Sequence, residues 1–129
     1  MQSPSEEQIV ELVDAFYTKI RQHEILGPVF EKNIAPEAWP AHLAKMYDFW
    51  SSVMRTSGRY KGNPLAAHAQ VTGLEEPLFA LWLALFRATA EELFPPELAA
   101  VFRLKSENIA KSLKLGLFFQ PLSGRARTL

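Results

Sequence analysis

Apolar residues recur along most of this chain at spacings of three and four, the mark of helices that each bury one face. Ile9, Leu12, Val13, Phe16 and Ile20 form the first stripe, which stops near Gly27-Pro28. Ser3-Pro4-Ser5-Glu6 predicts its start: a serine cap, proline at the first helical position and glutamate at the capping-box position. Tyr17 stands one position round from Phe16, at the edge of the stripe. Val29 to Ala35 reads as a short connection carrying Phe30. A second helix begins around Pro36 to Pro40, because the N–H groups of a first turn lack intrahelical partners and proline is tolerated there. His42, Met46, Phe49 and Val53 share one of its faces, with Leu43 and Trp50 alongside, and Ser57-Gly58 closes it.

A turn-rich loop with Arg59, Tyr60 and Lys61 leads to a short apolar segment, Pro64 to Val71, two turns at most, which carries His68 and stops at Thr72-Gly73. The next helix starts near Glu75 to Pro77 and runs through Leu78, Leu81, Trp82, Leu85, Phe86 and Thr89. Phe79 and Leu83 make it hydrophobic nearly all round, which predicts a central element. Pro95-Pro96 breaks it, and a last helix is expected to bury Leu98, Val101, Phe102, Ile109, Leu113 and Leu117. No stretch alternates apolar and polar residues long enough for a sheet, so the expected fold is all-α. One domain over 1–120 and a polar tail over 121–129 account for the 129 residues.

Composition narrows the chemistry. There is no cysteine, which excludes disulfides, thiolate ligation, iron–sulfur clusters and cysteine-based zinc sites. Fourteen basic residues balance fourteen acidic ones, leaving no electrostatic case for nucleic acid or an anionic membrane. The longest apolar run, Leu78 to Phe86, is nine residues, far short of the ~20 that span a bilayer. Acidic residues precede the first apolar ones and no signal-peptide pattern is visible, so a cytoplasmic protein is expected.

His68 has only Ala67 and Ala69 beside it and no carboxylate nearby in sequence. A neutral imidazole in open apolar surroundings is a common metal ligand. Tyr17, His42 and Trp82 supply a second polar set, each on a separate helical stretch. One bare imidazole opposite a small polar cage, inside an aliphatic and aromatic domain, outlines a haem pocket. Its walls would be Phe30, Met46, Phe49, Trp50, Leu65 and Phe86, with Lys45, Arg59 or Lys61 reaching the propionates. Each residue taken singly also has a plain structural reading. His68 can be a satisfied core histidine, His42 part of an exposed helix start, Trp82 core packing, Tyr17 an edge residue with its hydroxyl in water, and Lys45 a surface charge. His23, in Arg21-Gln22-His23-Glu24, reads as solvated and without a role.

Order and spacing carry a resemblance that favours the haem reading. Phe16-Tyr17, Leu26-Gly27-Pro28-Val29-Phe30, Trp39-Pro40-Ala41-His42 with Phe49-Trp50, Tyr60-Lys61-Gly62-Asn63-Pro64-Leu65 before His68, and Phe79-Ala80-Leu81-Trp82-Leu83 with Phe86 together resemble a bacterial truncated haemoglobin. The likeness covers roughly residues 6 to 118, and the lack of any Gly-Gly pair points to the third group of that family. The resemblance implies a two-over-two helical sandwich around one haem b, a reduced first helix and little proximal helix. It makes His68 the proximal iron ligand and Tyr17, His42 and Trp82 the distal residues. Dioxygen, carbon monoxide and nitric oxide are the implied ligands, with a reductase as a possible partner and a monomer as the expected state. Two donors near the ligand would slow its escape, which favours oxygen or nitric oxide chemistry over bulk oxygen transport. Two other functions stay open at this point: an enzyme that turns over nitric oxide or peroxide, and a cofactor-free helical interaction module.

Overall fold

The computed structural model describes residues 3–118, and the expected tail lies outside them. Six α-helices follow in order: α1 (Glu6–Gln22), α2 (Leu26–Asn33), α3 (Trp39–Arg55), α4 (Pro64–Ala69), α5 (Leu78–Leu93) and α6 (Pro96–Leu117), with a 3-10 turn at Pro36–Ala38 ahead of α3. Among the described residues there is no strand. No helix among them is long and apolar enough to cross a membrane.

Helix boundaries depart from the sequence pattern in instructive places. The cap of α1 is Ser5, not Ser3: its side chain accepts from Gln8 N, and Gln8 Oε1 accepts from Ser5 N at 2.9 Å. Glutamine closes the box as well as glutamate does, so Glu6 at the first helical position takes no part in it. The connection expected over Val29 to Ala35 is mostly helix α2, and α1 ends earlier, at Gln22. The cause is His23, expected to be idle. Its Nδ1 accepts from Ile25 N at 3.1 Å and Leu26 N at 3.0 Å, satisfying donors that open α2. Gly27 sits in this corner because a Cβ there would lie 2.9 Å from Arg21 O. At its far end α3 stops at Arg55, and the left-handed residue is Thr56 (φ 51°), just ahead of the expected Ser57-Gly58.

The two-over-two sandwich is present. α1 packs on α3, α5 packs on α6, and the α1–α5 contact joins the two pairs; α2 lies against α1 and α5, and α4 against α6. The core has two parts. The larger gathers the α1 stripe with Trp50, Phe86, Ala90, Leu98 and Phe102, and the smaller is Phe79, Ala110 and Leu113. α5 feeds both, as its all-round apolar sequence predicts. In α6, Leu98, Phe102 and Leu113 are buried as expected, but Val101, Ile109 and Leu117 are only half-buried, because the α5 contact covers less than the full apolar stripe.

Candidate functional site

α1 and α3 bring two of the predicted polar residues together. The rings of Tyr17 and His42 meet edge to face at 5.3 Å, and Trp39 contacts both, at 6.0 Å from Tyr17 and 5.5 Å from His42. Phe30 reaches the same group from α2, 5.9 Å from Tyr17. Tyr17 is not at a wet edge: it is 6 % exposed, and burial pushes its phenol well above the ordinary range. It therefore stays a protonated O–H donor at neutral pH. The pKa of His42 is lowered, first by burial, then by the charges of Lys45 and His68, so neutral imidazole is the favoured form.

Two buried nitrogen atoms here have no hydrogen-bond partner, Trp39 Nε1 and His42 Nε2. Leaving such groups unpaired costs roughly 1–3 kcal/mol each, so their presence in one aromatic nook marks a place shaped for a polar guest. Trp39 was not singled out by sequence. The available signal was its place one turn before His42, on the same side of the helix start.

Trp82 comes from α5. It stacks on Phe86 at 5.2 Å and meets Phe16 edge to face at 5.2 Å, and Phe16 also meets Tyr17 of α1 at 5.2 Å. Phe86 is fully buried and also stacks on Trp50 at 4.9 Å, which places both residues in the core behind the site. Met46 and Phe49 are half-buried against the same cluster.

His68 lies on α4, the short helix that the Pro64 to Val71 segment predicts. Asn63 caps its start by accepting from Ala66 N at 3.1 Å, and Pro64 takes the first helical position. Past its end, Asn33 of α2 grips Thr72 twice: Thr72 N donates to Asn33 Oδ1 and Asn33 Nδ2 donates to Thr72 O, both at 2.9 Å. Leu65, 40 % exposed, rests on α6 at Gly116, where a Cβ would fall 2.7 Å from Leu65 Cδ1. Only glycine permits that approach without displacing Leu65. His68 Nδ1 is 2.7 Å from the Pro64 carbonyl oxygen. That acceptor fixes the proton on Nδ1 and leaves the Nε2 lone pair free to bind a metal.

Between α3 and α4 opens a cleft of about 510 Å³, lined by Ala41, Lys45 and Asp48 on one side, Ala67 on the other and Arg59 and Lys61 of the connecting loop. All three cations expected near the propionates line it. Among the described residues no three histidine or carboxylate side chains gather as metal ligands. Iron in a porphyrin needs only one such side chain, because the macrocycle supplies its other ligands. The oriented imidazole of His68 on α4, the unpaired nitrogens of Trp39 and His42 on α3 and the cations lining the cleft between these helices are residue types that fit haem.

A helical sandwich carrying this set of residues is what a globin-type haem protein requires. No family model matches the chain. A search of curated proteins finds the group 3 truncated hemoglobin ctb of Campylobacter jejuni, 30% identical over 116 residues, which are 88% of this chain and 91% of that one. Among solved structures, the crystal structure of group III truncated hemoglobin from Campylobacter jejuni superposes with a TM-score of 0.85 at 28% identity, over 95% of this chain and 98% of that one. The chain belongs to the group 3 truncated haemoglobins, and a haem-binding globin role comes with the family.

Proposed function

We propose that this protein holds one haem b through His68 Nε2 and binds dioxygen, carbon monoxide or nitric oxide beside Tyr17, His42 and Trp82. The observation that carries this reading is the His68–Pro64 hydrogen bond, which orients the imidazole as a metal ligand while His42 presents a buried, partnerless Nε2. Haem held by one imidazole supplies an open iron coordination position for a diatomic ligand. The chain's residues set what happens around it. Phe30, Met46, Phe49, Trp50, Leu65 and Phe86 form or back the apolar walls that exclude water. Lys45 and Arg59 stand at the cleft mouth to bind carboxylates.

Tyr17 provides an O–H held protonated by burial, and Trp82 an indole N–H. His42, neutral by burial, keeps one ring N–H and one lone pair. Hydrogen bonds to a charged acceptor contribute roughly 1.5–3 kcal/mol, and each 1.4 kcal/mol is about tenfold in affinity. Two such donors retain a ligand too firmly for delivery, so the reading favours oxygen or nitric oxide chemistry, fed by a reductase in the cytoplasm, over bulk transport. With haem-loaded protein, Tyr17→Phe and Trp82→Leu are expected to speed dioxygen dissociation by roughly tenfold or more. Unchanged dissociation in both variants contradicts the donor cage.

A further inference from the structure

The first residue of α1 is tied to the loop that forms the cleft mouth. Glu6 Oε1 lies 3.1 Å from Arg59 Nη1, and Glu6 Oε2 lies 3.0 Å from Arg55 Nε. The hydroxyl of fully buried Ser51 donates to Glu6 Oε2 at 2.8 Å and lies 2.8 Å from Ser57 Oγ, which in turn accepts from Arg59 N at 3.3 Å. Arg55 also donates to Pro4 O at 2.7 Å. Next along the loop, Tyr60 N donates to Ser52 Oγ at 2.8 Å, and its ring meets Phe49 edge to face at 5.2 Å. One carboxylate thus joins the start of α1, the end of α3 and the loop.

The three cations of the cleft are not equivalent. Among the described residues Lys45 and Lys61 take part in no ion pair, whereas Arg59 is held by Glu6. Glu6 engages one end of the guanidinium, and an arginine has further N–H groups in a fixed fork that matches a carboxylate. A flexible, exposed arginine loses side-chain entropy when it grips an anion; one already fastened loses less.

We propose that Glu6 is a positioning residue for the cofactor, holding Arg59 at the cleft mouth so that its guanidinium receives a haem propionate. This rests on the haem reading above. The test compares wild type, Glu6→Gln, Arg59→Ala and the double variant, each loaded with protohaem or with its dimethyl ester. The readout is the rate of pigment transfer to excess apomyoglobin. With protohaem, Glu6→Gln and Arg59→Ala should each speed transfer roughly three- to tenfold, and the double variant should be no faster than Arg59→Ala alone. With the dimethyl ester, which carries no propionate charge, the four proteins should release pigment at one rate. A Glu6→Gln rate equal to wild type with protohaem overturns the proposal. So does equal acceleration with the dimethyl ester, because Glu6 then acts on the fold alone. A wild-type chain that develops no Soret band with either pigment overturns the haem reading, a result told apart from the other two by its spectrum.

Discussion

Tyr17 and His42 stand on helices of 17 residues each that pack against one another in the larger core, whereas His68 stands on a six-residue helix that buries no residue. Packing sets the α1–α3 side. Phe16, Phe86 and Phe102 are completely buried there, and close-packed interiors hold side chains in single rotamers. Polar contacts set the α4 side. A helix of two turns is unstable alone, and α4 is kept by the Asn63 cap, the Asn33–Thr72 clamp and the rest of Leu65 on Gly116. The contrast teaches that a helix pair fixed by packing can stand beside a short helix held by a few polar contacts, which is expected to open locally at lower free energy.

The comparison breaks hardest at Phe86, which stacks on both Trp50 and Trp82. Phe86→Ala should cost about 3–5 kcal/mol in denaturant unfolding of the haem-free protein; a loss under about 1 kcal/mol would show that this core does not carry the α1–α3 side. Asn33→Ala sharpens the other half. It removes both bonds to Thr72 and the 2.7 Å bond to Val29 O. The expected result is roughly 1–3 kcal/mol of lost protection in amide exchange over α4 and Thr72, with the α1 and α5 amides unchanged. Uniform loss across all helices would mean that α4 does not open by itself.

The smallest expected effect is at alkaline pH. Tyr17 ionises near 10.0 when unfolded and well above that when folded, where burial opposes the charge. Above pH 10 the unfolded chain loses this proton first, so the contribution of Tyr17 to stability is full below pH 10 and falls as pH rises further. Tyr47, pushed up to about 12 chiefly by its hydrogen bond to Asp14, adds a drop of the same sign. Unfolding free energy should decline between about pH 10 and pH 12 with a slope of up to about 1.4 kcal/mol per unit from Tyr17. Tyr17→Phe should flatten that slope. An identical slope in the variant would place the phenol in water, on neither side of the comparison.

The helices other than α2 and most of the buried stripe could be read from the sequence because periodicity and proline breaks are local. So could α4 as a short helix, since its opening proline and the glycine that follows it lie within ten residues of one another. What escaped was non-local or used unusual chemistry. His23 caps α2 with a ring nitrogen, which no serine or aspartate pattern announces. Asn33 meets Thr72 across 39 positions and Glu6 meets Ser51 across 45, and no periodicity links such pairs. Trp39 looked like an ordinary helix start because its partnerless nitrogen becomes visible only once Tyr17 and His42 close around it.

Resonance Raman spectroscopy of the ferrous, ligand-free protein reads the bond between chain and cofactor directly. The account predicts an iron–histidine stretching band in the wild type that is absent from His68→Gly and returns, shifted, when imidazole is added. A His68→Gly protein that keeps the wild-type band and Soret maximum without imidazole would contradict it, and the two sides of the pocket would have to be assigned afresh.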